Sequence, residues 1–169
     1  PRVVCFELWH PIPLSFPDEW LAMNKAFVRE SDHDVRHCPF CGSLGQAVGR
    51  VTLDAWVKPE ARGQIGESAM FCIEAQCVVA YFDSFERIVT IDKLVRPAYP
   101  KSTDAPICGC FGLTCGEIEA DVTEGGVTRT RAAVERAKSP EARCGVMSAN
   151  GQSCVAEIQR YYFKCRGGV

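Results

Sequence analysis

The 169 residues contain no run of about 18 consecutive apolar side chains, so a membrane-spanning helix is not expected. The first residues, Pro1 to Glu7, lack a basic segment followed by an apolar one, and no secretory signal is expected either. There is no basic run and no lobe of one sign. Residues 38–103 carry seven basic and seven acidic side chains and residues 104–169 carry eight of each, so the net charge of −2 comes from residues 1–37. Nucleic acid and anionic membrane are therefore poor candidate partners. Also missing are a serine–histidine or cysteine–histidine signature, a phosphate loop and a paired-carboxylate motif, so no active site of its own is expected. Neither half of the chain repeats the other.

What the chain has in excess is cysteine. There are eleven, an odd number that a fully paired disulfide framework cannot use. Eight fall into two quartets, leaving Cys5, Cys115 and Cys165. Thiols kept available for metals point to a reducing compartment, and a cytoplasmic location is the expectation. At 47% hydrophobic content the chain should fold, and its length suits two small lobes. Lobes of about 60 residues bury too little surface to be stable unaided, so a metal staple is expected in each.

The first quartet is Cys38 and Cys41, in Cys-Pro-Phe-Cys, with Cys72 and Cys77, in Cys-Ile-Glu-Ala-Gln-Cys. A Cys-x2-Cys turn lets two sulfurs converge on one ion, and two such pairs supply the tetrahedral thiolate set that structural zinc prefers. A closed site of this kind holds shape and leaves no open position for chemistry. His33 and His37 lie beside it, but the quartet is complete without them; His10 has no ligand pattern around it. The second quartet is Cys108 and Cys110, in Cys-Gly-Cys, with Cys144 and Cys154. The intervening glycine lets both thiolates of the first pair point at one iron, and the following helix directs free amides at the same volume, as an anionic iron–sulfur cluster requires. Arg143 either stabilises an added electron or is an ordinary exposed arginine. A Cys-x-Cys pair also suits zinc or copper, so spacing alone leaves the metal open. Cys115 reads as a free cysteine at a helix end, and Cys5 and Cys165 as bystanders.

The predicted architecture is α+β. An irregular N-terminal arm (1–37), rich in proline and aromatics, carries one helix from Pro17 to Val28 and is either packed on the next lobe or a docking segment. A zinc-ribbon-like β lobe (38–96) follows, with strands at Val48 to Leu53, Ala69 to Phe71, Val78 to Phe82 and Ile88 to Ile91. A proline-rich linker (97–106) leads to a small helical cluster-binding lobe (107–169). There Thr114 and Glu117 form a capping box for a helix over 115–122 that Gly125-Gly126 ends; further helices are expected at Thr130 to Lys138 and Cys154 to Lys164.

The run Cys38-Pro39-Phe40-Cys41-Gly42, the segment Phe71 to Phe82, the Pro106-Ile-Cys108-Gly-Cys110 step and the pair Cys144 and Cys154 resemble the amino-terminal domain of CopZ-type copper chaperones. The second lobe is also similar to the bacterioferritin-associated-ferredoxin module. The resemblance covers residues 38 to about 165. It implies zinc on Cys38, Cys41, Cys72 and Cys77 and a 2Fe-2S cluster on Cys108, Cys110, Cys144 and Cys154, the cluster supplying electrons that reduce copper(II) to copper(I). No Met-x-Cys-x-x-Cys copper module follows the cluster lobe within these residues. The leading expectation is a one-electron transfer module with a redox partner protein, a copper protein or an oxidoreductase subunit. The alternatives are a ferredoxin-like subunit of a larger oxidoreductase and a redox-inactive zinc scaffold.

Overall fold

The computed structural model describes residues 36–167. The expected arm helix, His10, His33 and Cys5 lie outside the described residues. Among those described, four strands form one antiparallel meander in the order β1 (Gly45–Gly49), β2 (Ser68–Cys72), β3 (Val79–Phe82) and β4 (Ile88–Thr90). Helices α1 (Arg50–Trp56) and α2 (Pro59–Arg62) lie between β1 and β2. After β4 come α3 (Cys115–Thr123), α4 (Thr128–Ala137), α5 (Cys144–Met147) and α6 (Val155–Gly167).

The sheet is covered on both faces, which explains why all four residues of β3 are buried. On one face Val48, Ala69, Phe71, Tyr81 and Val89 meet Leu53, Trp56 and Ala61 from the helices and Leu94, Ala98 and Ala149 from later segments. On the other, Cys72, Val79 and Phe82 pack with Cys38 and Cys77. A register shift between Val79 and Tyr81 lets Ala80 and Tyr81 both join the first core.

The expected strand over Val48 to Leu53 is corrected here: β1 ends at Gly49 and the chain turns into α1 at Arg50. Val51 and Thr52 have β propensity, but Thr52, Leu53 and Trp56 are the buried positions, a helical spacing that seats Leu53 and Trp56 on the sheet. Tertiary packing overrides local preference.

In the second half Ile107, Leu113, Ile118, Ala133, Ala137 and Ile158 build another core around Cys108 and Cys154. The Thr114 hydroxyl accepts from the Glu117 amide at 3.3 Å, and the Glu117 carboxylate accepts from the Thr114 amide at 2.8 Å. This capping box starts α3 where expected. Helix α4 starts at Thr128, two residues before its expected Thr130, and has no cap from its own N-terminal residue. Asp121, fully buried at the end of α3, does that work. Its carboxylate accepts from the amides of Thr130 at 2.7 Å and Arg129 at 3.3 Å and from the Arg129 guanidinium at 2.9 Å. Burial pushes its pKa up, but these donors outweigh burial and hold it below the ordinary range. Replacing Asp121 with alanine is expected to cost about 2 kcal/mol and to lower the melting temperature by roughly 5 °C at neutral pH. A thermal melt of the metal-loaded variant beside the parent measures this, and equal midpoints would refute it.

Residues 97–106 contain no helix or strand, yet they are anchored. Ala98 and Ala105 are buried, and Lys101 donates to the carbonyls of Glu74 at 2.7 Å and Cys77 at 3.1 Å.

Candidate metal centres

The knuckle at Cys38 is closed by backbone bonds from the Gly42 amide to the Cys38 carbonyl and from the Cys38 amide to the Ser43 carbonyl, both 2.8 Å. Gly45 pairs with Cys72 in the β1–β2 register, so the knuckle folds over the end of β2. A turn in which the Cys77 amide bonds the Glu74 carbonyl at 3.1 Å brings the fourth sulfur back. Cys38 Sγ lies 3.9 Å from Cys77 Sγ, Cys41 Sγ lies 3.6 Å from Cys72 Sγ, and all four lie within 4.8 Å of one another. Four thiolates at about 2.3 Å from one tetrahedral ion sit about 3.8 Å apart, so this cage has the size of a zinc site. Cys38, Cys72 and Cys77 are buried and Cys41 is exposed.

The thiols differ in acidity. A hydrogen bond with Ser43, helped by Cys72 and Cys77, lowers Cys41 to about 6. Burial raises Cys72 to about 12 and also raises Cys77. The Lys101 ammonium favours the Cys72 thiolate electrostatically, so it offsets part of the negative charge that four thiolates on a divalent ion would carry. Lys101 was invisible in sequence: nothing sets a lysine among prolines apart. His37 is exposed beside the knuckle.

The second quartet is arranged differently. Cys110 Sγ is 3.9 Å from Cys144 Sγ. Cys108 and Cys154 form the other pair: interaction with Cys154 lowers Cys108 to about 6, and interaction with Cys108, together with burial, raises Cys154. Sequence reasoning placed Cys108 and Cys110 together; here each pairs across with one distal cysteine. Among the described residues, only the first quartet brings three or more ligand atoms all within 4.8 Å. The second is thus two pairs, one buried (Cys108, Cys154) and one half-buried (Cys110, Cys144).

Amides reach this site from the Cys110–Phe111 turn and from Arg143, the N-cap residue of α5. Phe111 and Cys110 supply backbone hydrogen bonds to Cys108, and Arg143 supplies one to Cys110. Arg136 stacks 4.2 Å over Phe111 and favours the Cys108 thiolate. Cys115 is buried and hydrogen-bonded with Tyr161.

Residues 35–95 match the zinc binding domain family of CopZ type. The chain therefore carries a zinc-binding domain with a four-cysteine cluster. The X-ray structure of the Archaeoglobus fulgidus CopZ N-terminal domain has a similar fold, with a TM-score of 0.61 and 24% identity over 73% of this chain and 95% of that one. No curated protein matches this chain. No helix among the described residues is long and apolar enough to cross a membrane.

Proposed function

We propose that this chain is a zinc and iron–sulfur protein that passes single electrons to a partner metalloprotein. In this reading Cys38, Cys41, Cys72 and Cys77 hold a structural zinc ion in the lobe spanning 38–96. Cys108, Cys110, Cys144 and Cys154 hold a 2Fe-2S cluster in the lobe spanning 107–169, with 97–106 between them and 1–37 as an arm that serves partner docking. The observation that carries it is the splitting of the second quartet into two thiol pairs. One tetrahedral ion needs a single closed cage, whereas two irons need two ligands each, and the pairs Cys108–Cys154 and Cys110–Cys144 supply them. Such a cluster supplies reversible one-electron chemistry at a potential set by its surroundings.

The chain's own residues prepare that role. The backbone amides of Cys110, Phe111 and Arg143 and the Arg136 guanidinium favour negative charge on sulfur. Cys110 and Cys144 are half-buried where Cys108 and Cys154 are buried, so a cluster held by these four would be approached by a partner from the Cys110–Cys144 side. The function is transfer and binding, not catalysis on a bound substrate. The CopZ-type zinc domain and fold support a copper-handling partner in a reducing, cytoplasmic setting.

Metal analysis and electron paramagnetic resonance of the anaerobically purified, dithionite-reduced protein test this reading. Two irons and one zinc per chain, a red-brown colour that bleaches and a rhombic signal are expected. Replacing Cys110 with serine should perturb or abolish the visible absorption and leave zinc at one per chain. Zinc without iron or labile sulfide would leave only a structural scaffold. Purification with a fixed larger complex from the native source would favour a ferredoxin-like oxidoreductase subunit.

A further inference from the structure

Helix α5 is a single turn that begins at Cys144, and its last carbonyls have no partner within so short a helix. The first half of the chain supplies the donors. The Thr52 hydroxyl donates to the Gly145 carbonyl at 2.8 Å, and the Trp56 indole N–H donates to the Val146 carbonyl at 2.9 Å. Arg96, stacked 4.2 Å over the Trp56 ring, donates to the same Val146 oxygen at 3.1 Å. The Tyr81 hydroxyl donates to the Ala149 carbonyl at 2.7 Å, and Ala149 itself lies in the sheet core. The approach leaves no slack: a Cβ at Gly151, which sits at φ +65°, would come within 2.6 Å of Thr52 Oγ1.

We propose that Thr52, Trp56, Tyr81 and Arg96 are positioning residues for the Cys144 thiolate, so that the zinc-bearing half holds the loop on which one cluster ligand is mounted. This rests on the electron-transfer reading above. Three consecutive features argue for it. Three of the four donors are buried, Thr52 being 4% exposed, Trp56 5% and Tyr81 0%, and the exposed Arg96 is stacked on Trp56. Their acceptors, the carbonyls of Gly145, Val146 and Ala149, follow Cys144 within five residues, and Tyr81 on β3 lies four residues after Cys77. Helix α5 also packs on α1, so these bonds hold the turn that carries Cys144, whose Sγ lies 3.9 Å from Cys110 Sγ.

The test uses the full chain with its metals. Thr52→Val removes the hydroxyl at nearly constant shape, Thr52→Ser restores it, and Trp56→Phe keeps a ring without the N–H. Amide exchange at Met147 and Ser148, whose N–H groups bond the Arg143 and Cys144 carbonyls at 2.9 Å, should accelerate roughly threefold to tenfold in Thr52→Val and Trp56→Phe, as expected for one lost hydrogen bond. The half-life of the visible absorption under an iron chelator should shorten by a similar factor and the resonance line positions should move. Zinc should stay at one per chain, and Thr52→Ser should behave as the parent. Unchanged exchange and cluster lifetime in both variants would overturn the proposal. If Trp56→Phe loses zinc through misfolding, Tyr81→Phe asks the same question from the other donor. A parent protein without any chromophore would overturn the electron-transfer reading and this one's cluster role together, while the exchange rates would still decide whether these donors hold the loop.

Discussion

Under the proposed cluster assignment, replacing Gly109 with alanine is expected to remove the visible chromophore and leave the zinc in place. A Cβ on Gly109 would lie 2.0 Å from the Met147 carbonyl oxygen and 3.0 Å from its carbon. Both obstacles are backbone, so no side-chain rotation relieves them. The Cys108–Cys110 step or the α5 turn must move, and either shift opens the 3.9 Å gap between Cys110 and Cys144. Overpacking costs of about 1–3 kcal/mol are typical where only side chains yield, and here the backbone must. Bound iron should therefore fall about tenfold or more under conditions that saturate the parent. The control is Gly116→Ala, on α3, where an added Cβ meets nothing within 4 Å; it should keep its colour. A fully red-brown Gly109→Ala protein would show that the step has room to spare.

Removing zinc should unfold the sheet. A structural thiolate site contributes about 10–16 kcal/mol of apparent binding energy, and a whole domain has a net stability of about 5–15 kcal/mol. The quartet is built into one face of the sheet, where Cys38, Cys72 and Cys77 pack on Val79 and Phe82. A strong chelator is expected to abolish the strand signal in circular dichroism, reversibly on adding zinc back. The four ligands should not be equivalent. Cys72→Ser, at a site with no exposure on β2, should lose both zinc and fold, whereas Cys41→Ser, at the exposed corner, should fold with weakened affinity. The pH dependence has a definite sign. Cys72, held at about 12, and Cys77, also raised, are protonated near neutrality without metal, so binding expels their protons. Acidification from pH 8 to 6 should then weaken zinc binding by at least about a hundredfold per unit, tenfold for each of these two protons. A competition titration at several pH values measures the slope, and a flat profile would mean these thiols are not ligands.

Much of this was legible in the residues because it depends on local chemistry. Cys38-Pro-Phe-Cys41-Gly42 closes a turn through its own backbone bonds, Thr114 and Glu117 cap a helix from three residues apart, and Gly125-Gly126 separates two helices. The gathering of Cys38, Cys41, Cys72 and Cys77 also followed from spacing, since two close pairs leave one simple way to converge. The strand expected at Val48 to Leu53 failed because its β-branched residues carry weak preferences that burial of Leu53 and Trp56 overrules. The missing cap of α4 could not be read either: its donor groups find Asp121, eight and nine residues back across a turn.

The chain's order of residues was enough to set the composition of the first thiol quartet, the cap of α3 and the mixed architecture, since those rest on local spacing and pattern. Which sulfurs stand together in the second quartet was decided only in three dimensions. Gly109 presses on Met147, and Thr52, Trp56 and Tyr81 seat the Cys144 turn from about 70 to 90 residues away. Contacts of such long sequence separation form only when the core brings both halves together, and no periodicity or spacing encodes them.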